Sequence, residues 1–216
     1  MNFLLQTSHS NLKAEIAVTG SKSETNRLLL LQALFPNISL ANTSNSDDSE
    51  VMQKALKGNE EIVDIHHAGT AMRFLTAYFA VNEGREVVLT GSQRMTERPI
   101  KVLVEALEQL GAKISYEKEV GYPPIRIKGQ KITASKVNIP ANVSSQYISA
   151  LLLVAPKLEN GIEITLVGEI TSVPYIKMTL ALLNDLDIKT SFEGNVITVY
   201  PKQEVASKIM TVESDW

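Results

Sequence analysis

The feature of the sequence that most constrains its fold is an internal repeat. Residues 100–117 (IKVLVEALEQLGAKISYE) and residues 176–193 (IKMTLALLNDLDIKTSFE) share an Ile-Lys start, the spacing of their leucines and a Lys-x-Ser-aromatic-Glu end, at an offset of 76 positions. Polar helix starts at Thr70 and Ser145 recur at nearly the same distance, and Ser23 begins a similar but shorter stretch. Self-similarity at a fixed period predicts a fold assembled from copies of one supersecondary unit.

Within each copy, the hydrophobic pattern alternates between the helical and the strand period. The pattern predicts three units, each running strand-helix-strand-helix-strand-strand, that form one domain of the α+β class. The chain has 216 residues, of which 44% are apolar and 21% are charged, so it can bury a core of ordinary size.

Composition disfavours several classes of protein. The chain has no cysteine, which excludes a disulfide framework and a thiolate nucleophile and agrees with a reducing compartment. No stretch approaches the roughly 20 apolar residues of a membrane span, and the first residues lack the pattern of a signal peptide. The net charge of −3 indicates no nucleic-acid surface. We therefore expect a cytoplasmic protein without membrane or nucleic-acid partners.

Polar and basic residues crowd the predicted helix starts. The first helices of the units open on GSKSETNR, HAGTAMR and NVSSQY, and the second helices open on SNSDDSE, TERPIK and TSVPYIK. A helix N-terminus has unsatisfied N–H groups and the positive end of the dipole, and small residues let an anion approach it. Full positive charges come from Lys22, Arg27, Arg73 and Arg98.

The same residues have a structural interpretation. Ser, Thr, Asp and Asn are the ordinary N-caps of helices. Arg27 and Arg73 fit that interpretation less well, because their neighbours LLLLQALF and AMRFL offer few carboxylates, while a buried arginine needs a partner. The pattern alone leaves capping and a shared anion site about equally open.

Two other motif-based interpretations fail. The stretch TGSKS lacks the full G-x-x-x-x-G-K-[ST] pattern of a nucleotide triphosphatase. His66 and His67 are adjacent, and neighbouring residues of a strand point to opposite faces, which disfavours a shared metal ion. We expect no metal site.

Seven motifs, taken in order, resemble those of one enzyme family. GSKSETNR, SDD, AGTAMR, LTGSQRMTERPI, YPPIRIKG, VSSQYISALLL and SVPYI follow the order seen in the 5-enolpyruvylshikimate-3-phosphate synthases, also called 3-phosphoshikimate 1-carboxyvinyltransferases. The likeness extends over residues 14–215. It implies a fold of two similar domains, each with three βαβαββ units, that close on substrates in the cleft between them.

The resemblance also implies an activity. Members of this family transfer the enolpyruvyl group of phosphoenolpyruvate to the 5-hydroxyl of shikimate 3-phosphate and release phosphate, by addition and then elimination. This is a step of the shikimate pathway to chorismate and the aromatic amino acids. The family needs no metal or organic cofactor, its full-length enzyme is expected to be a monomer, and the herbicide glyphosate competes at the phosphoenolpyruvate site.

Substrate contacts follow from the resemblance as well. Lys22 matches the lysine that contacts both substrates, and it is the expected catalytic residue of this chain. The residues implied for shikimate 3-phosphate are Lys22, Ser23, Arg27, Ser144, Ser145, Gln146, Ser172 and Tyr175. Those implied for phosphoenolpyruvate are Lys22, Gly69, Arg98 and Gln146, with Thr70 and Arg73 lining the same region.

The sequence departs from the family pattern at two positions and in length. His67 replaces the usual Asn before Ala-Gly-Thr, and Phe74 replaces the usual Pro after Ala-Met-Arg. Full-length members of the family are longer than this chain, and their acid/base aspartate and glutamate lie in the half that this chain lacks. We therefore expect residues 1–13 to belong with a second domain, residues 14–212 to form the N-terminal domain, and residues 213–216 to start the crossing between domains. On its own, this chain is expected to bind substrate without turnover.

Two alternatives stay open. A UDP-N-acetylglucosamine enolpyruvyl transferase would have the same fold, but that family generally has a cysteine in a loop of this domain. A non-catalytic anion-binding domain would keep the fold without the site. The joint presence of Lys22, Arg27, Arg98 and Gln146 favours the shikimate enzyme over the non-catalytic domain.

Overall fold

A computed structural model of the chain describes residues 15–215 together with Leu4 and Lys13. The predicted N-terminal segment 1–13 therefore lies, apart from these two residues, outside the described part. The helices are α1 Lys22–Leu34, α2 Asp47–Lys57, α3 Gly69–Val81, α4 Gln93–Thr96, α5 Lys101–Gln109, α6 Ser145–Val154 and α7 Val173–Asn184. The strands are β1 Ile38–Ala41, β2 Ile62–Asp64, β3 Glu86–Thr90, β4 Lys113–Tyr116, β5 Ile125–Lys128, β6 Lys136–Pro140, β7 Ile162–Val167, β8 Thr190–Glu193, β9 Val196–Val199 and β10 Lys208–Thr211.

Two four-stranded sheets have the same order and the same strand directions. One sheet has the order β2-β3-β5-β4 and the other has the order β6-β7-β9-β8. In each sheet the first two strands are parallel, and the other pairs are antiparallel. The second and third units thus have the predicted strand-helix-strand-helix-strand-strand course, which confirms the α+β class and the repeat.

The repeat extends to the backbone at the C-terminal ends of α5 and α7. Gly111 follows α5 with a φ angle of 101°, and Asp187 follows α7 with a φ angle of 57°, 76 positions later. In both places the N–H of the next residue donates to the carbonyl five positions before it, at 2.9 Å and 3.1 Å. This pattern is the Schellman-type helix end, which needs a residue in the left-handed region.

The first unit differs from the prediction. Its helices α1 and α2 flank β1, but within the described part of the chain its sheet has two strands, β1 and β10, which run parallel. β10 takes the position that β2 and β6 have in the other sheets, although it comes from the far end of the chain. Only residues 58–61 connect α2 to β2, so the final hairpin of this unit has no room in the sequence.

Three inner helices, α1, α3 and α6, form the centre of the core. They pack against one another, and the outer helices α2, α5 and α7 cover them. Their side chains are buried over most of each helix, as in Leu28, Leu30, Met72, Leu75 and Leu151, all with no exposed surface. Helices that are apolar all round belong in a core. No helix in the described residues is long and apolar enough to span a membrane.

Asp187→Gly is expected to raise the free energy of unfolding by about 0.5–1 kcal/mol, because glycine removes the strain of an L-residue at positive φ. Gly111→Ala, the matched change in the other copy, should lower it by about 1 kcal/mol. A Cβ at Gly111 meets no atom within 4 Å, so this cost is conformational rather than steric. Urea unfolding measures both variants. A destabilised Asp187→Gly variant would contradict the shared helix end.

Candidate functional site

A cavity of about 390 Å³ opens where the N-terminal ends of the inner helices meet. Its lining consists of Lys22, Ser23, Arg27, Thr70, Ser144, Ser145, Gln146, Ser172 and Tyr175. The family resemblance implied that eight of these residues contact substrates and that Thr70 lines the same region. The three predicted residues outside the lining are Gly69, Arg73 and Arg98.

Ser21 and Ser144 cap the starts of their helices, and their hydroxyl protons stay available to a ligand. Ser21 Oγ accepts from the N–H of Glu24 at 3.5 Å, and Ser144 Oγ accepts from the N–H of Gln146 at 3.3 Å. A capping hydroxyl uses a lone pair for the helix, so its own O–H can still donate to a ligand. Ser172 precedes α7 in the left-handed region and makes no side-chain cap bond. Capping and anion binding are therefore compatible at Ser144, and the Ser172 hydroxyl is not used as a cap.

Arg27 lies at the base of the cavity with 2% of its surface exposed. Its Nε donates to Thr179 Oγ1 at 2.8 Å, Nη1 donates to the carbonyl of Ser23 at 2.7 Å, and Nη2 donates to Ser149 Oγ at 3.1 Å. A guanidinium has five N–H donors. Three are used by these neutral acceptors, which leaves two for a ligand.

The surroundings of Arg27 leave its charge uncompensated. Among the described residues, no carboxylate oxygen lies within 4 Å of it. The guanidinium lies 5.5 Å from the ring centre of Phe74 and 5.9 Å from that of Tyr175. Burial lowers the pKa of Arg27 to about 10, which keeps it protonated at neutral pH.

The other basic residues near the site also lack acidic partners. Within the described part of the chain, Lys22, Arg73 and Arg98 have no carboxylate oxygen within 4 Å. Acidic residues instead pair with bases on the sheets, as where Arg126 contacts Glu86 at 3.1 Å. The cavity is therefore locally positive, since its lining includes Lys22 and Arg27 and no acidic residue, in a chain whose net charge is −3.

Gly69 and Arg98 lie against each other beside the cavity. A Cβ added to Gly69 would come within 2.9 Å of Arg98 Cζ, so a side chain at position 69 would displace the guanidinium from this contact. The sequence analysis placed Arg98 in TERPIK, the start of a predicted helix, whereas α5 starts at Lys101 and Arg98 lies in the link from α4. Gln146 Nε2 donates to Thr70 Oγ1 at 3.2 Å and so connects this region with the cavity.

Arg73 lies behind the site rather than along it. It is 4% exposed, and it donates Nη1 to the carbonyl of Gly69 at 3.2 Å and Nη2 to the carbonyl of Pro99 at 2.9 Å. Tyr147 Oη donates to the same Pro99 carbonyl at 2.7 Å. Burial lowers the pKa of Arg73. Its side chain therefore ties the start of α3 to the link that carries Arg98, and it lies outside the cavity lining.

The described residues offer no cluster suited to a metal ion. None of their His, Asp and Glu side chains form a group of three or more that could hold one. His66 and His67 face different carboxylates, those of Asp64 and Asp47, each at 4.0 Å. Both histidines are largely exposed.

Comparison with known proteins identifies the family. The sequence model of EPSP synthase (3-phosphoshikimate 1-carboxyvinyltransferase) matches residues 42–216. The chain belongs to the EPSP synthase family. The match begins after α1, but a relative from Bacteroides fragilis (strain YCH46), named 3-phosphoshikimate 1-carboxyvinyltransferase, is 46% identical over the whole of this chain and 52% of its own length.

More distant relatives agree with this family. A protein of the same name from Actinobacillus pleuropneumoniae serotype 5b (strain L20) is 40% identical over 83% of this chain and 48% of its own length. The solved EPSP synthase from Acinetobacter baumannii superposes with a TM-score of 0.75 over 93% of this chain and 49% of its own, at 21% identity, and so supports the fold. The chain spans about half the length of the curated relatives it matches.

Sequence reasoning missed three polar residues around this EPSP synthase family site. Ser149 and Thr179, which hold Arg27, lie within apolar helical stretches and have no exposed surface. Tyr147 lies in the motif VSSQYISALLL, but the sequence analysis assigned it no role. The sequence signal that could have identified these residues is a polar side chain at a core position of the helical pattern. A single sequence does not show which partner such a side chain hydrogen-bonds.

Tyr147→Phe is expected to lower the free energy of unfolding by about 1 kcal/mol, because it deletes one of the two hydrogen bonds to the Pro99 carbonyl and keeps the ring. Tyr78→Phe is the control, since the half-buried Tyr78 hydroxyl has no hydrogen-bond partner among the described residues. Urea unfolding of both variants tests the contact. Equal effects would show that the Tyr147 bond adds nothing.

Proposed function

We propose that this chain forms the part of a 3-phosphoshikimate 1-carboxyvinyltransferase that binds shikimate 3-phosphate and one side of phosphoenolpyruvate. The observation that carries the proposal is the buried Arg27 at the base of a hydroxyl-lined cavity, without an acidic partner in the described residues. Such a site favours a compact polyanion. Family membership and the name shared by the relatives support this substrate pair.

In this proposal, the carboxylate and the phosphate of shikimate 3-phosphate bind at different places in the cavity. The carboxylate takes the two remaining N–H donors of Arg27 and the hydroxyl of Ser23, since arginine holds a planar carboxylate through two parallel bonds. The phosphate takes the hydroxyls and helix-start N–H groups at Ser144, Ser145 and Ser172. Tyr175 lies against the ring, and Gln146 lies between the substrates.

Phosphoenolpyruvate binds, in the same proposal, on the side of Gly69 and Arg98. Lys22 lies in the cavity lining and its ammonium can donate to oxygens of both substrates. The bond between Gln146 and Thr70 connects the two subsites. Two anions brought this close repel each other, so unpaired positive charge and aimed donors stabilise their encounter and the charge that develops in the reaction.

The cavity lining contains no Asp, Glu or His. The addition step moves a proton from the 5-hydroxyl and adds one to the methylene carbon of phosphoenolpyruvate, and the elimination step removes a proton again. Groups for these transfers must be within hydrogen-bond reach of the substrates. We propose that they come from the other half of the full-length enzyme, and that closure of the two halves aligns the hydroxyl with the alkene.

The domain limits belong to the same proposal. An isolated antiparallel bridge pairs Gly20 with Ser214, and Ser21 N donates to the carbonyl of Glu213 at 2.7 Å. The chain therefore passes the same point at the start of α1 and after β10. This pairing supports a domain over residues 14–212 and a crossing to a second domain at 213–216.

The two alternative functions have less support. The family match and the shared name of the relatives favour the shikimate enzyme over a UDP-N-acetylglucosamine enolpyruvyl transferase. A non-catalytic anion-binding domain has no need of the separate Gly69–Arg98 pair beside the cavity.

Lys22→Gln is expected to weaken binding of shikimate 3-phosphate to the 216-residue chain by about tenfold or more, because it removes a charge-assisted hydrogen bond. Calorimetric titration measures the affinity, with shikimate and inorganic phosphate as partial ligands. Lys113→Gln is the matched control, since Lys113 is an exposed lysine on β4, outside the cavity lining. Equal losses in both variants, or no binding by a chain shown to be folded, would contradict the proposal.

The 216-residue chain alone is expected to release no phosphate above background from phosphoenolpyruvate with shikimate 3-phosphate, because its cavity lining has no carboxylate or imidazole for the proton transfers. A coupled phosphate assay over hours tests this expectation. Turnover that Lys22→Gln abolishes would show that the cavity holds a complete catalytic set.

A further inference from the structure

The three inner helices differ at one repeat-equivalent position. Arg27 in α1 and Arg73 in α3 each donate Nη1 to the carbonyl four residues earlier, at 2.7 Å and 3.2 Å. The third helix, α6, has Ser149 at this place, 76 positions after Arg73. The short side chain leaves space for the guanidinium of Arg27, whose Nη2 lies 3.1 Å from Ser149 Oγ.

A second repeat position shows a similar replacement. Thr179 in α7 corresponds to Leu103 in α5, 76 positions earlier, and neither has any exposed surface. A hydroxyl therefore stands where the other copy has a core leucine. Thr179 Oγ1 accepts from Arg27 Nε at 2.8 Å, lies 2.9 Å from Ser149 Oγ, and donates to the carbonyl of Tyr175 at 3.0 Å. All three contacts lie within hydrogen-bond range.

Only one arrangement of hydroxyl protons satisfies these contacts. A hydroxyl donates once and accepts twice. Because Thr179 donates to the Tyr175 carbonyl, its two lone pairs accept from Arg27 and from Ser149. Ser149 then donates to Thr179 and accepts from Arg27 Nη2. The two hydroxyls thus act as a pair of neutral acceptors with a defined direction.

This pair binds one side of the guanidinium and leaves another side free. Nε and Nη2 are neighbouring donors of the rigid fork, and the two hydroxyls, 2.9 Å apart, receive one hydrogen each. Nη1 uses a further hydrogen for the Ser23 carbonyl. The remaining hydrogens, one on Nη1 and one on Nη2, form the end of the guanidinium, which is the edge suited to a carboxylate.

We propose that Ser149 and Thr179 are positioning residues that hold Arg27 so that the free end of its guanidinium receives the substrate carboxylate. The inference rests on the proposed function for the identity of that substrate. A carboxylate in place of the hydroxyls would hold Arg27 as firmly, but it would cancel the charge that attracts the ligand. Neutral acceptors fix the direction and keep the charge.

Thr179→Val tests the proposal, since it keeps the shape and removes the hydroxyl. It is expected to weaken binding of shikimate 3-phosphate to the 216-residue chain by about tenfold, and to leave the affinity for inorganic phosphate unchanged. Thr179→Ser should restore the binding. Thr76→Val is the matched control, because the buried Thr76 hydroxyl donates to the Met72 carbonyl at 2.7 Å, as Thr179 does to its own helix, without contacting Arg27. Unchanged affinity for shikimate 3-phosphate in Thr179→Val, or equal losses for both ligands, would overturn the proposal.

A second measurement needs no substrate. The Nε–H signal of Arg27 in an ¹⁵N NMR spectrum can be assigned by its loss in Arg27→Lys. We expect the Arg27 Nε hydrogen to exchange slowly with water in the parent chain and in Thr76→Val. In Thr179→Val its exchange rate should be about tenfold higher or more. An exchange rate unaffected by Thr179→Val would overturn the positioning role. Slow exchange in a folded parent chain that binds no shikimate 3-phosphate would instead overturn the proposed function and support the positioning role.

Discussion

The burial of three helices on all sides determines where this domain can be polar. α1, α3 and α6 contact one another and are covered by outer helices and sheets, so their bodies must be apolar. The N–H groups of a first helical turn still need acceptors. In the repeats these N-terminal ends lie at the same side of the core, so the unsatisfied donors and the side chains that accompany them collect in one cavity. The polar start of a leucine-rich helix is thus a consequence of the packing.

Much of the fold could be predicted from the sequence because the repeat is local. The copies at 100–117 and 176–193 each contain a helix, its left-handed end and the following strand, so their spacing predicts two matching sheets. The first unit could not be predicted in this way, because its second strand, β10, comes from the other end of the chain. Pairing between distant segments leaves no periodic signal in either of them.

The candidate site, like the fold, could be predicted from the sequence only in part. The motifs predicted every residue of the cavity lining, because residues at helix starts stay together when the helices do. They did not predict that Arg73 and Arg98 lie outside this lining. The position of Arg98 depends on where α5 begins, and the position of the Arg73 guanidinium depends on which buried carbonyls it can reach. Both are questions of tertiary packing, which a motif does not encode.

The two buried arginines show how one repeat position can serve opposite purposes. Burying a charge is costly unless donors and acceptors are matched. Arg73 donates from its Nη atoms to the carbonyls of Gly69 and Pro99 and so holds the backbone beside the cavity, while its buried Nε has no partner among the described residues. Arg27 has the same contact four residues back, but the hydroxyls of Ser149 and Thr179 leave one edge of it unsatisfied. Its cost of burial is therefore only partly offset in the free chain, and an anion bound at that edge would raise the free energy of unfolding of the domain.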